Sequence, residues 1–146
     1  MAKRSIPLEI LDLNGNGFHL LINIKLMKKR FKLVVDTGAS KTAFDKTLLS
    51  ELIHEKELKT GHLTTGLGTN TMESFMTTIT DFYIGKFRIS EMEVAVLDLS
   101  AINIAYQKLD IAPVLGVLGG DVLVEYQAII DYGKCRLIVK HESSNY

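Results

Sequence analysis

Residues 32–44 read KLVVDTGASKTAF. An extended apolar run delivers one carboxylate, Asp36, into a tight turn of Thr37, Gly38, Ala39 and Ser40, after which the chain turns apolar again. A charge at the end of a buried-looking strand is costly unless it is paired or hydrogen-bonded. Asp36 is therefore either a satisfied turn residue or a group in use, and the use open to a carboxylate is proton transfer. The other reactive side chains are poorly arranged for rival chemistry. His19, His54, His62 and His141 lack metal-ligand spacing, and a single cysteine cannot build a zinc site. Cys135 lies between Lys134 and Arg136, which would favour a thiolate. No base motif accompanies it, so it reads as structural. Gly66-Leu67-Gly68 is too little to cradle a phosphate, and no Lys-Ser or Lys-Thr follows it.

The elements that must hold Asp36 are mostly strands. Ile6, Leu8 and Ile10 alternate with polar neighbours, which predicts an N-terminal strand over about 5–13. NGNG at 14–17 supplies residues that tolerate positive φ and predicts a hairpin turn. Phe18, Leu20, Ile22, Ile24 and Leu26 then recur at period two, the clearest strand pattern in the chain. Phe31–Val35 return toward Asp36. Residues 42–44 predict a short strand, and Asp45 an N-cap for a helix bearing Leu48, Leu49, Leu52 and Ile53. Residues 62–76, rich in Gly and Thr, predict a hairpin with its tip at Gly66, Leu67 and Gly68. Strands are expected on both sides of Ile84-Gly85-Lys86 and again over 91–99, whereas 100–112 fit a helical turn or a loop equally well. PVLGVLGGDVL (113–123) reads as a buried strand entering a glycine turn, with Asp121 capping a short helix, and 128–140 as a final hairpin. An apolar strand running into a glycine turn thus occurs twice, at LVVDTG and at GVLGGD. The polar tail, about 141–146, is expected to fray.

Many short strands at this spacing argue an all-β barrel or sandwich, and 146 residues argue a single domain, 1–146. Seventeen basic and seventeen acidic side chains cancel, so no large field steers the chain to nucleic acid or to an anionic membrane. The basic run KLMKKRFK reads as a solvated hairpin end. One cysteine and no apolar run of signal length make a cytoplasmic protein the expectation.

VVDTGAS, a glycine-bearing hairpin about thirty residues on, and a later GVLGGDVL leading into AIIDY resemble, in order, the single-domain, retroviral-type (retropepsin-like) branch of the aspartic peptidases. The likeness spans about residues 18 to 140. It implies a closed acid-protease-type β-barrel with one or two short helices, and a catalytic Asp36 held by Thr37 and Gly38. It also implies a substrate cleft lined by Ala39 and covered by a flap at Gly66, Leu67 and Gly68. In such enzymes two carboxylates a hydrogen bond apart share one proton, because both cannot ionise easily. The ionised member takes a proton from water, and the protonated one polarises the scissile carbonyl. No metal or organic cofactor is needed.

Only Asp36 is followed by Thr-Gly, and no aspartate by Ser-Gly. A dyad therefore demands a second chain, and a twofold homodimer acting on a peptide or protein substrate is expected. In the pepsin branch a hydroxyl that supports the ionised carboxylate stands where this chain has Ala39. The pH–rate profile is accordingly expected to peak at less acidic pH than a pepsin's; a maximum well below about 4 would contradict this. A noncatalytic dimeric peptide-binding or dimerisation module on the same fold is the alternative, since a fold alone does not fix function.

Overall fold

The structure is a computed structural model that describes residues 2–53, 57–61 and 74–141. Strands β1 (Ala2–Asp12) and β2 (Phe18–Leu26) pair antiparallel from Leu8↔Ile22 to Asp12↔Phe18. The NGNG turn behaves as its composition demands: Asn14, Gly15 and Gly17 have φ of 56°, 82° and 111°, a region open to glycine and tolerated by asparagine. Met27 and Lys28 then turn β2 into β3 (Lys29–Val35), also through positive φ, and β3 runs back along β2.

After the Asp36 turn come β4 (Ala43–Asp45) and the single-turn helix α1 (Lys46–Leu49). Asp45 caps α1 as expected, its Oδ2 accepting the Leu48 N–H at 3.1 Å. The helix is shorter than the Leu48–Ile53 pattern predicts. β5 (Lys59–Gly61) and β6 (Ser74–Ile79) pair antiparallel, as arms of a hairpin should. Its predicted tip, Gly66, Leu67 and Gly68, lies outside the described residues. β7 (Phe82–Ile84), β8 (Phe87–Ile89) and β9 (Met92–Leu97) follow. The ambiguous stretch after them is a true helix, α2 (Ser100–Lys108). β10 (Gly116–Leu118), α3 (Gly120–Glu125) and the hairpin of β11 (Ile129–Asp131) and β12 (Arg136–His141) complete the chain.

The fold is of the acid-protease type, but its sheet is not the closed barrel the resemblance implies. The described strands follow an open path, β11-β12-β1-β2-β3-β10-β4-β9-β6-β5, with β7 and β8 branching from β2. Along this path β1 changes partner. Its first half, Ala2–Pro7, pairs with β12, and its second half, from Leu8, with β2. Pro7 sits at the switch and has no N–H to donate to a ladder. From Ile24 onward β2 pairs with β7 instead.

Both faces of the central sheet are buried, and period-two alternation sorts them. Leu33 and Val35, Val94 and Val96, and Leu118 enter one large cluster with Leu20, Ile22, Ile24 and Leu26. Val34, Ala95, Leu97 and Val117 enter a second cluster, with Tyr106 from α2. Tyr106 is 2% exposed, and its hydroxyl lies 2.6 Å from His19 Nδ1. Burial raises the phenol's pKa above its ordinary 10.0. The unfolded chain therefore ionises first; this contribution to stability is whole below pH 10.0 and is lost as pH rises through the folded value. Tyr106→Phe is expected to cost about 1 kcal/mol at neutral pH, the worth of one net hydrogen bond. It should also flatten the alkaline fall in urea-melt stability.

Candidate active site

Asp36 stands one residue beyond β3, and continuing the strand's alternation places it on the face of Val34, beside the second cluster. β10 runs parallel to β3, pairing Val34↔Val117 and Val35↔Leu118, and antiparallel to β4, pairing Gly116↔Phe44 and Val117↔Ala43. The two apolar-to-glycine echoes in the sequence are thus neighbouring parallel strands. The ladder continues into the turn, because the Asp36 N–H donates to Leu118 O at 3.0 Å.

The turn itself is held by short-range bonds. The Gly38 N–H donates to Asp36 Oδ1 at 2.9 Å, and the Ala39 N–H to Asp36 O at 3.2 Å. The first is the donor expected of Gly38. The steric demand there is modest: a Cβ on Gly38 would lie 3.3 Å from Asp36 Oδ1. Asp36 and Ala39 are half-buried, and Thr37, Gly38 and Ser40 are exposed. The Thr37 hydroxyl makes no hydrogen bond among the described residues. Of the predicted site, then, the fold brings together Asp36, Thr37, Gly38 and Ala39.

The stricter glycines are on the neighbouring strand. A Cβ on Gly116 would lie 2.0 Å from Ala43 O, and one on Gly119 would lie 2.5 Å from the Lys41 carbonyl carbon. Both are backbone clashes that no rotamer relieves, so β10 passes close to β4 only with glycine at these places.

Asp121 is the group that sequence reasoning misplaces. It was expected to cap α3, but Gly119 occupies that position and Asp121 lies in the first turn. Its carboxylate reaches back to the segment after Asp36. Oδ1 accepts the Thr42 N–H at 2.9 Å, the Thr42 hydroxyl at 2.8 Å and the Val122 N–H at 2.8 Å; Oδ2 accepts the Thr42 N–H at 3.0 Å. The Thr42 hydroxyl oxygen in turn accepts the buried Gly119 N–H at 3.0 Å. Gly120 and Asp121 donate their N–H groups to Ala39 O and Ser40 O, at 2.8 and 3.2 Å. The start of α3 and the Asp36 turn are thereby sewn into one unit. The signal in the sequence was the Gly-Gly-Asp at 119–121, which read as a turn rather than as a fastener.

α2 packs on the second cluster and is fixed at its centre. The Asn103 side chain accepts the Val114 N–H at 2.8 Å and donates to Val114 O at 3.0 Å. The described residues contain no group of three or more His, Cys, Asp or Glu able to hold a metal ion. Chemically the turn presents one carboxylate, oriented by a backbone N–H, at the edge of an apolar face.

Residues 22–122 match the protein family described as aspartyl protease. Among solved structures, the chain is similar to a retropepsin-like aspartic protease from Rickettsia conorii, with 24% identity over 94% of this chain and 90% of that one, at a TM-score of 0.56. It is also similar to the EIAV protease complexed with the inhibitor HBY-793, with 20% identity over 77% of this chain and 90% of that one, at a TM-score of 0.54. A third likeness is to the retroviral protease-like domain of Ddi1 from Leishmania major, with 17% identity over 87% and 96% of the two chains and a TM-score of 0.55. No curated protein matches the chain at a significant level.

Proposed function

Because the chain belongs to the aspartyl protease family, we propose that it is an aspartic endopeptidase whose catalytic pair is completed by Asp36 of a second copy. The observation that carries this is the Asp36 turn: a single carboxylate, aimed by the Gly38 N–H and braced through Leu118 and Asp121, with only one such triplet in the chain. Across a twofold axis the two Asp36 carboxylates share a proton. Water between them loses a proton to the ionised member while the other donates to the substrate carbonyl. Ala39 borders the peptide in the cleft, and the segment holding Gly66, Leu67 and Gly68 covers it.

β11 supports a place for the twofold contact. It ends the strand path and has β12 as its only neighbour among the described residues. It also carries exposed apolar groups, with Ile129 at 49% and the adjoining Tyr132 at 63%. β1, at the other end of the chain, is held by β12 and β2. An open apolar strand edge is a liability unless it is paired, and two copies of β11 meeting antiparallel satisfy both edges at once. The test is sedimentation across a concentration series with peptidase activity measured in parallel. Specific activity is expected to fall on dilution together with the dimer. A chain that sediments as a monomer with undiminished activity would overturn the proposal.

A further inference from the structure

The change of partner within β1 leaves a groove, and the groove is cationic. The first half of β1 pairs with β12 alone, and β8 pairs with β7 alone among the described residues. These two strand margins line a common hollow. Arg4 stands on one side, Lys86 and Arg88 on the other, and Phe87, Tyr126 and His141 complete about 530 Å³ of space. A second compartment of about 440 Å³ shares Arg4, Lys86 and Phe87 and continues past Gly85 to Arg136. Among the described residues, no Asp or Glu lines either compartment. Arg4, Lys86 and Arg88 are exposed, and none forms an ion pair among the described residues. Arg136 is held in place, its guanidinium donating to Ser5 Oγ at 2.8 Å and to Ser5 O at 2.9 Å. Acids lie in the adjoining hollows: Glu91, Glu93, Asp121 and Glu125 line one that meets the groove at Ile89, Ser90 and Tyr126, and Asp81 lines one that meets it at Gly85 and Lys86. In a chain with seventeen charges of each sign, this is a local segregation of charge.

We propose that this groove binds an extended acidic peptide, which adds to the free margin of β8 and sets its carboxylates against Arg4, Lys86 and Arg88. A strand margin offers backbone N–H and C=O groups at the spacing of an extended peptide, and guanidinium groups match carboxylates in geometry as well as charge. Nucleic acid fits less well. Phe87 and Tyr126 are only 4% and 8% exposed, and the Phe87 ring already lies 5.1 Å from the rings of both Tyr126 and His141. Neither buried ring offers an open face for a base to stack on. α3, a rise of about 9 Å over six residues, runs from the Ala39 contact to Tyr126 at the groove. An acidic flank of a protein substrate is thus the natural occupant, a point that rests on the peptidase reading; the binding itself does not.

The test therefore needs no turnover. A labelled peptide of about ten residues, alternating Glu with Val and Thr as in an extended strand, is titrated by fluorescence anisotropy into the full chain carrying Asp36→Asn. A Gln-for-Glu peptide and an oligouridylate serve as comparison probes. The Glu peptide is expected to bind, to weaken as salt rises, and to lose about tenfold or more in affinity to the double substitution Lys86→Glu, Arg88→Glu. Arg88→Ala, at an exposed position, should give a smaller loss in the same direction with an unchanged melting curve. Equal binding of the Gln peptide, unchanged affinity in both variants, tighter binding of the oligouridylate, or no binding of the Glu peptide would each overturn the proposal. The last result would leave the cations as guards that keep a strand edge from pairing with other chains.

Discussion

The substitution Asp36→Asn is expected to lower kcat by roughly 10⁴-fold or more, because in a symmetric dimer it removes the general base and the general acid together. Asn keeps the size and the acceptor oxygen that Gly38 N–H requires, so the turn should persist and peptide affinity should remain. Mixing makes the test sharper. When equal amounts of wild-type and Asp36→Asn chains exchange partners at random, about a quarter of the dimers hold two intact carboxylates. Activity should then be about a quarter of that of wild-type chains at the same total concentration; an enzyme working one chain at a time would retain about half. Full activity in the substituted protein would remove Asp36 from the chemistry. Retained peptide binding without any wild-type turnover would favour the noncatalytic module.

Asp121→Ala is expected to be the most damaging change outside the turn, at about 3–5 kcal/mol. The loss is not one contact. The Thr42 N–H and hydroxyl are left without their acceptor in a residue that is 0% exposed, and bonds to a charged acceptor are worth more than neutral ones. Because Thr42 also receives the Gly119 N–H, the slack should pass to β10 and from there to Asp36. Activity is expected to fall further than the unfolded fraction alone explains. Chemical denaturation with kcat measured on the folded fraction checks both parts, and Asp121→Asn should recover part of the stability. A stability change below about 1 kcal/mol would mean that the carboxylate is not the fastener described here.

Local pattern made most of the elements legible. β2 and the NGNG turn follow from period-two alternation and from residues that accept positive φ, both of which are properties of a few adjacent residues, whereas the Met27-Lys28 turn carries no such signal. Asp45 as the cap of α1 is of the same kind. What stayed hidden depends on residues distant in the chain. The length of α1 and the helical state of α2 are set by packing on buried clusters, and α2 has Asn103 fixed to Val114 across a turn, which no helical pattern announces. The partner change in β1 after Pro7, and the unjoined ends of the sheet at β11 and β5, are likewise set by pairings between distant segments. At the site, the Asp36 turn was visible as a motif, but its brace was not. Asp121 lies 79 positions from Thr42, and an aspartate beside glycines reads first as a turn or a cap.

The pairing of β3 with β10 has a consequence for synthesis. Two segments separated by roughly eighty positions must meet before the carboxylate is oriented, and closing so long a loop is entropically slow. A nascent polypeptide emerging from the ribosome thus has no braced Asp36 turn until Leu118 and Asp121 have been made. Unfinished molecules should be inert toward the proteins around them. Amide hydrogen exchange on a version truncated before Gly116 is expected to show Val34 and Asp36 unprotected; protection equal to that of the complete molecule would contradict this.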